Sequence, residues 1–538
     1  MSDQYLQVHT YNSGRFSANN LSVESLSGLL RDLGENHLPY CRFYSGGRLI
    51  REASFADLCR YSRALASFFQ SSWGLAKGDK VVVKLGNSDF TLIAYCALLY
   101  MGAVIVPVDP ADIDYNIEYI MEDSGAKGIV SVRDEPGFKA KGLFTLRFDD
   151  DFFRELTERR EAESVPGGDA DDTALIIYTS GTTDRPKGVR LTQGNLLINA
   201  EAKKRIHGMD ESSVHMCVLP LFHVNAFCFS FLTTLYCRCR LVLNRGFYLP
   251  DFWRIIENEK VQVVSVVPAI IRMLCDDRRK IEAGGMPSTL KYFISAAAPL
   301  SKALANRFYE RFGLRINQGY GLSEAVNFSL TVPPDLWDSD YREIFLDQDI
   351  PSAGTPLFGN HVEIMDREGN ILGPEQEGEI VIRGWNLMQG YLNREKEIEE
   401  AFRFGWFHTG DLGFFKEHGG QKYFFVNGRI KEIAIRNGEN ISLPYLDLEV
   451  QKIKGLEQCV AVGFENIHVD EEIGLFVVKN EHTPDEEVIL AACAEALGRA
   501  HAPKVVVFGD RLPRTLTGKL KRNHLKERFA DFKERNYA

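Results

Sequence analysis

The chain has 538 residues, 45% hydrophobic and 25% charged, a balance typical of a globular protein and a length too great for one ordinary core. Its net charge of −11 argues against a general nucleic-acid or anionic-membrane binder. Ten cysteines are scattered without a Cys-x-x-Cys pair, and Cys237 and Cys239 have the wrong spacing for a zinc site, so buried thiols in a reducing, cytoplasmic setting are expected.

The polar start Met1-Ser-Asp-Gln, with no apolar stretch behind it, does not read as a signal peptide. Phe55 to Phe69 reads as a helix and Val81 to Leu85 as a strand. Phe90 to Val108 is almost wholly apolar and about long enough to cross a bilayer. Gly102 and Pro107 punctuate it, so a buried helix (Thr91 to Met101) followed by a strand (Ala103 to Val108) is the expected reading. Tyr115 to Asp123 reads as a helix and Gly128 to Val132 as a strand. Asp134 to Gly142 and Glu161 to Asp172 read as loops. This alternation predicts mostly parallel sheets covered by helices. Past about residue 430 the rhythm changes to short strands (Val460 to Phe464, Ile473 to Val478, Val505 to Phe508), amphipathic helices and a basic tail, as in a separate small α+β domain.

The apolar run Ala174 to Ile177 leads into Tyr178-Thr-Ser-Gly-Thr-Thr-Asp-Arg-Pro-Lys-Gly188. Thr179, Ser180, Thr182 and Thr183 surround Gly181, and Lys187 closes the segment. Glycine lets the backbone approach an anion, hydroxyls and amides donate to it, and lysine adds a point charge. The segment therefore reads as a phosphate grip. Pro186 and Gly188 flank the lysine, so it is not a Walker A loop. Downstream stand Leu219-Pro-Leu-Phe-His-Val224, Asn317-Gln-Gly-Tyr-Gly-Leu-Ser-Glu324, Trp406-Phe-His-Thr-Gly-Asp411, Gly428-Arg-Ile-Lys-Glu432 and Leu512-Pro-Arg-Thr-Leu-Thr-Gly-Lys519. Each alone is weak; a single His223 is more often structural, and a single Asp411 or Lys519 is more often a solvated charge.

Together and in this order they resemble the adenylate-forming superfamily of acyl-CoA synthetases, luciferases and peptide-synthetase adenylation domains, from about Ser54 to Arg528. The resemblance implies an α/β fold. A large N-terminal domain (1–428) would combine mostly parallel sheets with a small distorted barrel. A small mobile α+β lid (429–538) would follow, with a hinge near Lys431. It implies that a carboxylate attacks the α-phosphate of ATP to give an acyl-adenylate and pyrophosphate, and that a thiol then releases AMP. Thr179, Ser180, Gly181, Thr182, Thr183 and Lys187 would hold the β- and γ-phosphates. Glu324 would bind Mg²⁺, Ser323 would donate to the α-phosphate, and Tyr320 with Gly321 would face adenine. Ala296, Ala297 and Ala298 would line the adenine slot. Asp411 would accept the ribose hydroxyls, reinforced by Arg429. Lys519 would bridge the carboxylate and α-phosphate. His223 would gate the acyl pocket, and Gly438 would line the thiol tunnel.

Three positions depart from the family pattern: Asp184 in the phosphate loop, Trp385 after Gly384, and a run Ser442-Leu-Pro444 one residue longer than usual. Amino-acid-activating members carry an aspartate just after the gate, where this chain has Val224. An unpaired buried ammonium is costly, so an α-amino acid is not expected. Val224, Phe227, Cys228 and Val326 suggest an apolar pocket, and Asn225 and Asn327 could meet a polar group or be structural. An aliphatic or aryl carboxylic acid fits. Arg436 to Ile441 resembles the corresponding segment of CoA ligases, which favours CoA. A phosphopantetheine arm on a carrier protein is the rival acceptor, and with so little sequence after Lys519 no carrier domain is expected in this chain. Ile435 stands where luciferases hold a lysine, against an oxygenase. An inactive adenylate-binding protein would not be expected to keep Lys187, Glu324, Asp411, Arg429 and Lys519 together.

Overall fold

The structure is a computed structural model that describes residues 7–11, 14–15, 21, 23–159, 167–179, 185–277, 286–436, 439–513 and 520–537. The chain divides into two compact units. The first comprises residues 1–363, 381–408 and 417–424; the second comprises residues 364–380, 409–416 and 425–538.

Two large sheets dominate the first unit. One has seven strands in the order Gly390–Tyr391, Lys187–Thr192, Thr173–Thr179, Val104–Pro107, Lys80–Lys84, Gly128–Ser131, Phe144–Arg147. Its five strands from Thr173–Thr179 to Phe144–Arg147 run parallel. The other has nine strands, and the six from Arg315–Tyr320 through Tyr292–Ser295, Val263–Val266, Val214–Cys217 and Arg240–Asn244 to Pro39–Ser45 are parallel. A smaller five-stranded sheet contains Asn360–Met365, Gly378–Gly384, Trp406–His418, Phe402–Arg403 and Gln421–Arg429. The expected α/β architecture is thus present, with mostly parallel sheets and a smaller half-barrel sheet in addition.

Local signals set the elements. Helix Phe55–Trp73 starts at a capping box, in which the Asp57 amide donates to Ser54 Oγ at 3.0 Å and the Ser54 amide to Asp57 Oδ2 at 3.2 Å. It stops at Gly74, whose φ of +61° favours glycine. The apolar run resolves into a helix, Asp89–Tyr100, buried at every residue, and the strand Val104–Pro107. Among the described residues no helix is long and apolar enough to cross a membrane. All ten cysteines are buried thiols.

The Asp134 to Gly142 segment is not wholly a loop: Pro136–Ala140 forms a short helix. Proline is suited to the first helical turn, and buried Phe138 packs in the cluster with Val82 and Ile129. The isolated Gly and Pro that suggested a loop act here as a helix start.

The second unit contains a five-stranded sheet in which Glu439–Ser442, Ile433–Arg436, Asp470–Val478 and Cys459–Asn466 are successive neighbours. Val505–Gly509 adds to Asp470–Val478 in parallel. Two buried ion pairs tie it together. Arg436 pairs with Glu472 and donates to the Ala500 and Ala502 carbonyls, while Arg522 Nη2 meets Asp447 Oδ2 at 2.6 Å. The longer Ser442-Leu-Pro444 run has a local purpose: Ser442 caps helix Leu443–Val450, which has proline in its first turn.

Two histidines in the first unit should make the fold acid-sensitive. His207 Nδ1 lies 3.1 Å from the Tyr292 hydroxyl, and His215 Nε2 lies 3.0 Å from Ser230 Oγ. Burial, with the nearby Lys203 charge, pushes both down to about 3. Their folded values lie below the ordinary 6.5, so the unfolded chain gains protons first as pH falls, and stability is lost from pH 6.5 towards 3. Between pH 6.5 and 5 the loss should reach about 3 kcal/mol for the pair. Urea midpoints across that window should fall, and His215→Asn should flatten the slope; a pH-independent midpoint would contradict this.

Candidate functional site

The two ends of the phosphate-grip segment are register partners. Thr179 closes strand Thr173–Thr179, Lys187 opens strand Lys187–Thr192, and the two face each other across an antiparallel pair. Ser180, Gly181, Thr182, Thr183 and Asp184 lie outside the described residues. The stems are fastened by side chains from distant parts of the first unit. Tyr178 donates to Asp123 Oδ2 at 2.7 Å, Tyr119 donates to the Pro186 carbonyl at 3.0 Å, and Arg394 Nη2 donates to the Tyr119 hydroxyl at 2.9 Å. Arg185 sits over the Tyr119 ring at 5.3 Å. Burial, followed by the bond to Asp123, pushes the Tyr178 phenol up, so it stays a donor at neutral pH. Such a frame holds both strand ends in place.

Glu324 and Lys187 are linked through a residue that the sequence reading did not single out. The Tyr391 hydroxyl donates to Glu324 Oε1 at 2.8 Å, and Lys187 Nζ stands 5.3 Å from the centre of the Tyr391 ring. Glu397 lies 3.9 Å from the same Nζ. The Met388 amide donates to the Glu324 carbonyl at 2.8 Å. The Gly390–Tyr391 strand is the edge of the seven-stranded sheet and pairs with Val189 and Arg190. Backbone pairing therefore brings Tyr391 beside Lys187, and its hydroxyl reaches the carboxylate. A carboxylate offers about four acceptor positions and Tyr391 takes one, so Glu324 fits a hard cation that also binds phosphate oxygens.

The remaining first-unit residues gather at the carboxyl ends of the parallel strands, where open α/β sheets place ligands. Ala296, Ala297 and Ala298 follow strand Tyr292–Ser295, with Ala296 buried and the other two exposed. Tyr320 ends strand Arg315–Tyr320, and Ser323–Ala325 is a short 3-10 helix. A Cβ on Gly321 would lie 1.5 Å from the Asn327 carbonyl oxygen, so only glycine fits there. Ala297, Val326 and Asn327 have φ of 69°, 56° and 101°. Such conformations cluster at functional sites, and for β-branched Val326 this one is a genuine outlier.

His223 follows a turn and is half-buried, with its ring 4.6 Å from that of Phe222. Its carbonyl accepts from the Phe227 amide at 3.0 Å, which leads into the π-helix Ala226–Leu232. Val224 is half-buried beside it. Phe227 packs in the core, 5.0 Å from the Tyr95 ring. Cys228 and Val326 are buried, and burial pushes the Cys228 thiol up to about 12. Asn225 and Asn327 are buried, and the Nδ2 of each has no hydrogen-bond partner among the described residues. Trp385, the departure after Gly384, is buried with its ring 5.2 Å from that of Tyr11, and its carbonyl accepts from Asn195 Nδ2 at 2.7 Å.

In the second unit Asp411 is buried and Arg429 Nε lies 3.2 Å from Asp411 Oδ1. The Asp411 amide donates to Thr409 Oγ1 at 3.1 Å, and the Gly410 amide donates to Glu379 Oε1 at 2.9 Å. The carboxylate is thus set by a tight turn beside a guanidinium. Lys431 falls in the 3-10 helix Ile430–Glu432. Gly438 and Lys519 lie outside the described residues.

Residues 43–392 match the family described as "AMP-binding enzyme". A probable CoA ligase of Humulus lupulus is 30% identical over 484 residues, covering 85% of this chain and 88% of that protein. An oxalate–CoA ligase of Arabidopsis thaliana is 29% identical over 95% of this chain and all of its own (100%). The solved structure of O-succinylbenzoate coenzyme A synthetase from Bacillus subtilis, in complex with ATP and magnesium ion, matches with a TM-score of 0.79 and 26% identity, covering 93% of this chain and 99% of that one. The chain thus belongs to the AMP-binding enzyme family and is an acid–thiol ligase.

Proposed function

We propose that this enzyme joins a carboxylic acid other than an α-amino acid to CoA, through an acyl-adenylate, with release of pyrophosphate and AMP. The observation that supports the reading is the set Lys187, Tyr391 and Glu324, in which one tyrosine meets a cation with its ring and, through its hydroxyl, a carboxylate suited to Mg²⁺. Mg²⁺ would neutralise charge on the phosphates, with Glu324 as its protein ligand. Thr179, Lys187 and the hydroxyl-rich loop hold the β- and γ-phosphates. Ser323 donates to the α-phosphate, and Tyr320, Gly321 and Ala296 to Ala298 receive the base. Asp411 and Arg429 hold the ribose. Lys519 stabilises the charge that develops as the carboxylate attacks phosphorus. His223 gates the acyl pocket, and rotation about Lys431 changes the enzyme from adenylation to thioester formation.

The acid class is supported by the relatives. The names of the Arabidopsis and Bacillus proteins specify oxalate and O-succinylbenzoate, each an acid with two carboxyl groups. Buried Asn225 and Asn327 supply unpaired amide donors that a polar acyl group would satisfy. A carrier-borne phosphopantetheine is the alternative acceptor, since it presents the same thiol.

Gly438→Leu tests the thiol tunnel. It should lower thioester formation about 100-fold while adenylate formation, read as pyrophosphate release, keeps most of its rate. Equal loss of both half-reactions would remove the tunnel assignment.

A further inference from the structure

Helix Gln193–His207 carries a lysine in the wrong place for its charge. Lys203 is completely buried (0% exposed), and its Nζ has no hydrogen-bond partner among the described residues. It stands 5.4 Å from the centre of the Phe229 ring and 5.3 Å from that of Phe328. Two aromatic faces attract a cation, yet they do not replace the hydrogen bonds that an ammonium loses on leaving water. Among the described residues the titratable groups acting on it are His207, His215 and Cys228, and no carboxylate there balances the charge. Burial pushes the amine down to about 7. A buried charge without a counter-ion is costly unless an anion arrives to pair with it.

The position of Lys203 says what that anion is. Phe328 follows Asn327, and Phe229 follows Cys228, so both rings adjoin residues assigned above to the acyl pocket. Asn199, one turn before Lys203, donates from Nδ2 to the Phe328 carbonyl at 3.1 Å, which holds the helix on this wall. The chain is helical from the His223 carbonyl onward, and Phe229 lies six residues past the gate. The two unpaired amide groups, on Asn225 and Asn327, belong to the same segments.

We propose that Lys203 is the specificity residue that reads a second, anionic group on the acid substrate, several bonds from the carboxyl that is activated. The inference rests on the ligase reading above. It makes the preferred substrate a dicarboxylate, or a keto acid bearing a distal carboxylate, whose far end pairs with the ammonium. Between the two ends, Asn225 and Asn327 donate to polar atoms of the acyl chain. A lysine that only braced two rings would not distinguish acids by charge.

The test uses the full-length enzyme with ATP, Mg²⁺ and matched acids. Glutarate, adipate and 2-succinylbenzoate are compared with pentanoate, hexanoate and 3-benzoylpropanoate, reading kcat/KM for pyrophosphate release. At least one diacid should exceed its monoacid partner by about tenfold or more, the scale of a hydrogen bond to a charged group. Lys203→Met should bring that ratio to about one. A wild-type enzyme that uses monoacids as well as diacids in every pair overturns the proposal, as does a variant that lowers both by the same factor. The wild-type comparison decides even if the variant fails to fold. Absence of pyrophosphate with every acid overturns the ligase reading itself, a result distinct from activity without charge preference.

Discussion

Lys519→Ala is expected to slow adenylate formation about 10²–10³-fold, the cost of removing one preorganised charge partner from a developing transition state. ATP affinity should change far less. A residue that meets the α-phosphate only as the carboxylate attacks contributes little to the ground state, so its loss appears in kcat and in kcat/KM alike. Pre-steady-state release of pyrophosphate measures the step, and equilibrium binding of ATP provides the control. The thioester half-reaction, started from synthetic acyl-adenylate and CoA, should keep most of its rate, because the proposed swing about Lys431 withdraws this lysine. Unchanged adenylation in the variant would remove the assignment, and equal loss in both half-reactions would make the substitution a structural one.

Glu324→Gln should lower adenylation by more than about 100-fold if Glu324 is the proposed Mg²⁺ ligand, because loss of a metal ligand exceeds the 10–100-fold typical of its outer partners. The charge is removed while the volume and the bond from Tyr391 at 2.8 Å can be kept, since a glutamine oxygen still accepts. The effect should therefore be electrostatic and not structural. Raising Mg²⁺ should recover part of the activity, and thermal stability should stay near wild type. A variant with normal Mg²⁺ dependence would show that Glu324 serves only to anchor the Tyr391 strand.

The fold was largely readable from short-range pattern. Apolar runs such as Ala174 to Ile177 and Val81 to Leu85 appear as central parallel strands because a strand covered on both faces needs no polar alternation. What the pattern could not supply was pairing at a distance. Tyr391 reaches Glu324 across 67 positions, and Arg394 reaches Asp123 across 271 positions, with no local signal at either end. Lys203 is the sharper case. Within Ala200-Glu-Ala-Lys-Lys-Arg205 it reads as one more solvated charge, and only the packing of Phe229 and Phe328 reveals that it is buried. The positive φ of Val326 was equally hidden, because β-branched residues rarely adopt it and no residue type announces it.

The most direct measurement is pyrophosphate release by the purified enzyme with ATP, Mg²⁺ and a panel of mono- and dicarboxylic acids, followed by mass identification of the product formed with CoA or with a phosphopantetheinylated carrier. The account predicts that an acid yields pyrophosphate, AMP and its CoA thioester. Transfer to the carrier alone, or no pyrophosphate from any acid, would contradict it.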